Sequence, residues 1–99
     1  MDFLLNYDFT NEDIDMIKRN NSQTAIKNIS MNTINVSKVM EYLSSLGITK
    51  DTMRDLFVYQ IGMFHRTKGE LEQVFEEYEI ESIVKSLNYD VNTIDMIEF

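Results

Sequence analysis

The apolar residues of this chain recur at the three- and four-residue spacing of amphipathic α-helices. Three stripes show this spacing most clearly, and each would line one side of a helix. They are Val36, Val39, Met40, Leu43 and Leu46; Met53, Leu56, Phe57, Ile61 and Phe64; and Leu71, Val74, Phe75 and Tyr78. A β-rich fold needs more turn residues than three glycines and no proline. We therefore predict an all-α protein, either a compact multi-helix bundle or a short stack of helical repeats.

Helix start and stop residues divide this pattern into seven short helices. The predicted ranges are 11–20, 23–30, 36–46, 50–63, 68–78, 80–87 and 91–97. The expected N-caps include Ser22 for the second helix, Asn32, Thr33 or Asn35 for the third, and Thr67 for the fifth, where Glu70 completes a capping box. The apolar residues after Glu79 are out of phase with those before it. We expect the chain to break or bend there, or else to present a second apolar face.

Three stretches of the chain, residues 43–56, 4–17 and 84–97, share one pattern of helix end, turn and helix start. A residue that tolerates a left-handed backbone is followed by an apolar residue, an N-cap and, four positions beyond the cap, another apolar residue. These positions are Gly47, Ile48, Thr49 and Met53; Asp8, Phe9, Thr10 and Ile14; and Asn88, Tyr89, Asp90 and Ile94. The apolar pair around the cap forms a hydrophobic staple, and Asp13 adds a shortened capping box at Thr10. The pattern predicts three helix corners.

The three corners are separated by 39 and 41 residues, a spacing typical of stacked helical repeats. Helix-turn-helix junctions use few residue types, so similar corners also arise without duplication. Both a structural repeat and convergence are compatible with the sequence.

The 99 residues, of which 43% are apolar, predict one folded domain that spans residues 1–99. No apolar run approaches the roughly 20 residues that cross a bilayer. Asp2 stands where a secretory signal would carry a positive charge, and the chain contains no cysteine. We expect a cytoplasmic protein without membrane contact.

Acidic residues outnumber basic ones by 17 to 9, which gives a formal net charge of −8. The imbalance is greatest between residues 70 and 81, where six glutamates occur without a basic residue: Glu70, Glu72, Glu76, Glu77, Glu79 and Glu81. One interpretation is a solvated helix face. The other is an acidic surface that binds a basic partner.

Residues 43–78 resemble one helical repeat of the mitochondrial transcription termination factor family. The matching elements are the corner Leu46-Gly47-Ile48, the helix through Leu56 and Phe57, the apolar pair Met63-Phe64, and Thr67 with Glu70-Leu71. The resemblance implies stacked helices and nucleic-acid binding through a basic concave surface. The chain differs from the family pattern at Ile61, where the family usually has proline, and in its acidic charge. The resemblance therefore supports the fold more than the nucleic-acid function.

Catalytic, cofactor and metal sites are not predicted. His65 is the sole histidine, and its place after Phe64 indicates a helix end rather than a general base. The acidic stretch 8–15 lacks the central glycine of a calcium-binding loop and suits a helix N-terminus. We therefore do not expect an enzyme.

Three functions remain as hypotheses. The first is a small non-catalytic regulator that binds a protein partner, basic or nucleic-acid-binding, through the six glutamates. The second is a nucleic-acid-binding regulator, which would require Lys18, Arg19, Lys27 and Lys38 to converge on one face. The third is a structural homo-oligomer joined through apolar residues near the termini: Phe3, Leu4, Leu5, Ile94, Ile97 and Phe99.

Overall fold

The structure, a computed structural model, describes residues 1–97. Within this range the chain forms six α-helices and three 3₁₀ helices and has no strand, which confirms the all-α prediction. The α-helices are α1 (Asn11–Asn20), α2 (Gln23–Met31), α3 (Thr33–Leu46), α4 (Lys50–Tyr59), α5 (Lys68–Phe75) and α6 (Ile80–Tyr89). The 3₁₀ helices are Asp2–Tyr7, Ile61–His65 and Val91–Met96. None of these helices is both long and apolar enough to cross a membrane.

The core is centred on aromatic residues of α4 and of the 3₁₀ helix that follows it. The rings of Phe57 and Phe64 stack with their centroids 3.8 Å apart, and Phe9 meets Phe57 edge-on at 5.8 Å. Helix α1 packs along α4, while α3 contacts α2, α5 and α6. The three predicted apolar stripes supply ten of the 24 buried core residues within 1–97, so the amphipathic pattern set the inward side of α3, α4 and α5. Tyr78, the last residue of the third stripe, is 39% exposed instead.

The first corner has the predicted form. Asp8 adopts the left-handed backbone (φ 66°). The Thr10 side chain accepts from the Asp13 N–H at 3.1 Å, and the Asp13 carboxylate accepts from the Thr10 N–H at 2.9 Å. Phe9 and Ile14 are buried on either side of the cap, as a hydrophobic staple requires. The short capping box is therefore confirmed.

The second corner repeats the first. Gly47 ends α3 in the left-handed conformation (φ 106°), and the Thr49 side chain accepts from the backbone N–H of Thr52. Ile48 and Met53 are both buried around this cap. The two corners differ in that glycine replaces an aspartate at the left-handed position, where either residue tolerates positive φ.

The prediction for the third corner is wrong. Helix α6 continues through Asn88 and Tyr89 to Asp90, and Tyr89 is 91% exposed instead of stapled. Asp90 caps a 3₁₀ helix by accepting from the Asn92 N–H, and Val91 is buried in place of Tyr89. Asn88 keeps a helical backbone in the last turn of α6, and its side chain bonds to Gly47 and Thr49 of the second corner.

The predicted helix 50–63 is also wrong in its end. Helix α4 stops at Tyr59, and a 3₁₀ helix follows from Ile61. In a longer α-helix the Phe57 carbonyl would accept from the Ile61 N–H. Here Asn21 donates its side-chain amide to that carbonyl at 2.9 Å. A residue 36 positions away therefore satisfies the carbonyl that a longer helix would have used.

Two other boundaries moved by a few residues. Helix α3 begins at Thr33 instead of residue 36, after Asn32, whose amide donates to the Asn28 carbonyl and not to its own helix. Helix α5 ends at Phe75 instead of residue 78, and the chain turns before Glu79 enters an extended conformation (φ −76°, ψ 108°). The predicted break near Glu79 is confirmed.

Candidate partner-binding surface

The six glutamates lie on α5, the turn after it and the first turn of α6. Glu70 is in the first turn of α5, where the Thr67 side chain accepts from its backbone N–H at 3.2 Å. Thr67 is therefore the N-cap as predicted, but the return bond to the Glu70 carboxylate that completes a capping box is not formed. Glu79 precedes α6 and Glu81 is in its first turn. All six are exposed except Glu72, which is half-buried. The segment is accessible, but the break at Glu79 divides it between two helices.

The glutamates of α5 do not share one side of the helix. Glu72 and Glu76 are four residues apart and project from the same side, since Glu76 keeps a helical backbone (φ −64°, ψ −23°). Glu70, two positions before Glu72, points about 200° around the helix. Glu72 pairs with Lys68 one turn earlier at 3.4 Å. Glu70 and Glu72 are therefore close in the sequence but lie on opposite sides of α5.

Tyr42 of α3 lies close to two of these carboxylates, those of Glu72 and Glu76. Its ring stacks on Phe75 with centroids 6.3 Å apart. Burial raises the pKa of the Tyr42 phenol, and the negative charges of Glu72 and Glu76 raise it further. The carboxylates of Glu72 and Glu76 therefore lie near Tyr42, on the side of α5 that faces α3.

Helix geometry explains some of the glutamates and not others. Carboxylates near a helix N-terminus, such as Glu70 and Glu81, are stabilised by the unpaired N–H groups there. Glu76 and Glu77 follow the last turn of α5, where the carbonyl groups carry partial negative charge. The last turn of α5 contains no basic residue that would offset them. Their position is electrostatically unfavourable with respect to the dipole of α5.

A cavity between the first two corners was not predicted from the sequence. It has a volume of about 480 Å³ and is open to solvent between residues 7–9, the second half of α3 and the start of α4. Its inner wall is apolar and consists of Phe9, Met40, Ile48 and Met53, all of which are buried. Its rim is polar and includes Tyr7, Asp8, Glu41, Ser44 and Lys50. Because packing of three separate segments creates this cavity, no local pattern could have indicated it.

Two cations beside the cavity, Lys50 and Arg54, form ion pairs with Asp13 of the first corner. Asp13 lies 3.8 Å from Lys50 and 3.7 Å from Arg54. The hydrogen bond from the Thr10 backbone lowers the pKa of the Asp13 carboxyl, against the opposing effect of burial, and the two cations lower it further. Lys50 is thus already paired on the rim.

The basic residues needed for nucleic-acid binding are interspersed with acidic ones. Lys18 and Arg19 share a shallow groove on α1 with Glu12 and Asp15. Lys38 lies beside Glu41 on α3, and Lys27 is on a different helix, α2. These neighbours dilute the positive potential that a phosphate backbone requires.

Within residues 1–97, no group of three or more histidine, aspartate or glutamate side chains is arranged to hold a metal ion. His65 is the last residue of the 3₁₀ helix Ile61–His65 and is exposed, which is the helix-end position expected for it.

No family model, curated protein or solved structure matches this chain.

Proposed function

We propose that this protein is a small non-catalytic regulator that binds another protein with a basic surface. The observation that carries this proposal is the position of Glu76 and Glu77, exposed at the C-terminal end of α5. A carboxylate at that end costs a helix about 0.3–1 kcal/mol. Lysine or arginine side chains of a partner would convert this repulsion into attraction.

The charge of the whole chain supports the same proposal. A formal charge of −8 on 99 residues attracts cationic surfaces over a distance of about one Debye length, roughly 8–10 Å. Proteins that bind nucleic acid present surfaces of this kind. The sharpest form of the proposal is therefore an inhibitor that occupies the basic groove of a nucleic-acid-binding protein.

The turn between α5 and α6 allows a test that leaves the fold intact. Replacing Glu76, Glu77 and Glu79 with lysine reverses three exposed charges. The Glu79 side chain makes no capping hydrogen bond, so its loss removes no cap. Lysines at 76 and 77 also suit the dipole of α5, whereas a lysine at 79, the N-cap of α6, opposes the dipole of that helix. We call this protein the turn variant.

The matched control replaces Asp2, Glu12 and Asp15, all exposed and all outside the segment 70–81, with lysine. Both proteins have the same formal charge, and circular dichroism would establish that both are folded. We expect affinity capture from the native host to enrich the same basic protein with the original chain and the control, and to lose it with the turn variant. Equal capture by all three would refute the role of the turn.

A structural homo-oligomer is the second candidate, but through different residues from those expected. Of the residues expected, Leu4, Ile94 and Ile97 are buried, Phe3 is half-buried, and Phe99 lies outside the described residues. Leu5 alone of this set is exposed, at 44%. Met31 and Ile34 are instead 70% and 74% exposed and line one shallow groove where α2 meets α3. Light scattering that shows a dimer, and a monomer for Ile34→Lys, would favour this function.

A further inference from the structure

The cavity between the first two corners, which we call the corner cavity, offers apolar contacts that the glutamates between α5 and α6 do not. We propose that it seats one apolar side chain of the partner, while cationic residues beside that side chain meet the carboxylates around the cavity. This inference rests on the proposed function, because that proposal supplies the basic partner.

The walls of the corner cavity suit an apolar group. Its volume of about 480 Å³ is within the range of roughly 300–1,000 Å³ that is common for binding pockets. Met40 and Met53 line it, and unbranched thioether side chains adapt to inserted groups at little cost. The inner wall therefore offers both apolar contact and room to adjust.

The rim of the cavity selects for a cationic neighbour. Asp8 and Glu41 are carboxylates on the rim, and the one lysine there, Lys50, is paired with Asp13 at 3.8 Å. Glu41 accepts a long hydrogen bond of 3.5 Å from the Tyr7 hydroxyl and remains exposed. Among the residues that line the cavity, two carboxylates and one lysine leave a net negative charge, while Lys38 lies beside Glu41 outside the cavity.

The same partner segment can reach from the cavity to the acidic side of α5. Glu41 and Ser45 line the corner cavity and also a neighbouring groove that contains Tyr42 and two lysines, Lys38 and Lys68. Lys68 pairs with Glu72 of α5 at 3.4 Å. The apolar anchor site and these carboxylates therefore border one continuous surface along α3.

Charge also favours a basic protein segment in the corner cavity over a second copy of the chain or a neutral apolar molecule. A second copy of the chain would bring a further −8 to an acidic rim, which opposes association. A neutral apolar molecule would make no use of Asp8 and Glu41. A basic protein segment satisfies both the inner wall and the rim.

The experiment uses the full chain with ¹³C-labelled methionine methyl groups and short synthetic peptides. One peptide has a leucine flanked by arginines, a second has glycine in place of the leucine, and a third has serines in place of the arginines. Met40 and Met53 report on the cavity, while the exposed Met31 and Met96 serve as internal controls. We expect the leucine–arginine peptide to shift Met40 and Met53 saturably and to leave Met31 and Met96 unchanged.

Two variants test the location. Ser44 is exposed on the rim, so Ser44→Trp fills the mouth of the cavity without removing a core residue. We expect this change to weaken the leucine–arginine peptide about tenfold, the effect of excluding one apolar side chain. Thr24→Trp, on the exposed side of α2, should leave the affinity unchanged.

Each other outcome overturns the inference. Stationary Met40 and Met53 signals, or an unaffected Ser44→Trp, would show that the cavity is not the anchor site. Equal binding of the serine peptide would indicate a neutral apolar ligand, and concentration-dependent shifts without peptide would indicate a second copy.

The failure of this inference is distinguishable from that of the proposed function. If the glycine peptide binds as well as the leucine peptide and the turn variant loses both, the acidic surface stands and the corner cavity is excluded. If the leucine–arginine peptide shifts Met40 and Met53 but the turn variant captures the same host proteins as the original chain, the cavity stands and the turn is excluded.

Discussion

The side chain of Asn88 holds the backbone of the Gly47 corner from 41 residues away. Its amide donates to the Gly47 carbonyl at 3.0 Å, and its oxygen accepts from the Thr49 N–H at 3.1 Å. Gly47 and Asn88 occupy equivalent positions in the two sequence patterns. Asn88, which was expected to form a third corner, instead forms hydrogen bonds that stabilise the second corner.

Because of these two hydrogen bonds, we predict that Asn88→Ala destabilises the protein. Two hydrogen bonds that each contribute roughly 0.5–1.5 kcal/mol are lost, while the gain in helix propensity returns about half a kcal/mol. We expect a net loss of about 1–2 kcal/mol in the free energy of unfolding, measured by urea denaturation. Asn28→Ala, at an exposed position inside α2, is the matched control and should be neutral or slightly stabilising. Equal stability of the two variants would contradict the role of Asn88.

A second prediction concerns the left-handed backbone of Gly47 (φ 106°). A β-carbon at this residue would lie 3.5 Å from Val84 Cγ1, an ordinary contact, so the cost of Gly47→Ala is conformational. We expect the free energy of unfolding to fall by about 1–2 kcal/mol. At Gly62 an added β-carbon meets no atom within 4 Å among the described residues, so Gly62→Ala should be neutral or stabilising. Thermal melts of both variants would check the contrast, and a stable Gly47→Ala would refute it.

A third prediction follows from the lowered pKa of Asp13. Because its folded-state pKa lies below the unfolded value of 3.8, the carboxylate contributes stability at neutral pH. That contribution is complete above about pH 5 and is lost as the pH falls through the folded-state pKa. We expect Asp13→Asn to reduce the loss of stability between neutral and acidic pH, as followed by urea denaturation across that range. Parallel pH profiles for the variant and the original chain would exclude Asp13 as a contributor.

A fourth prediction compares glutamates at the two ends of α5. Glu77→Lys places a cation after the last turn and should raise the free energy of unfolding by about 0.3–1 kcal/mol. Glu70→Lys places the same charge in the first turn and should lower it by a similar amount. Thermal melts at low and high salt provide the measurement, since screening should diminish both effects. Changes of the same sign would show that net charge, and not position on the helix, decides the outcome.

The first two corners were predictable because each is made by consecutive residues. A left-handed residue, an apolar residue and a threonine cap act on their own backbone, and Asp8-Phe9-Thr10 and Gly47-Ile48-Thr49 do so. The segment Asn88-Tyr89-Asp90 has similar residue types but lies where Asn88 can reach the second corner. The residue types alone predict a turn at Asn88, whereas in the structure Asn88 stays helical and its side chain bonds to the second corner.

The acidic surface was predictable in composition and not in shape. The run of glutamates from 70 to 81 is visible in the sequence, whereas its division between two helices depends on the turn before Glu79. The field of Glu72 and Glu76 on Tyr42 depends on α5 packing against α3. The corner cavity has no sequence signal at all, since its walls come from three separate segments.

By itself, the sequence determined the helical class, the inward side of most helices, two of the corners and an excess of carboxylates. Apolar periodicity and capping act over only a few residues and therefore do not require the rest of the chain. Tertiary structure alone decided where α4 ends, what Asn88 bonds to and where a cavity opens. Those outcomes depend on side chains separated by tens of residues, and they exist only when the helices pack.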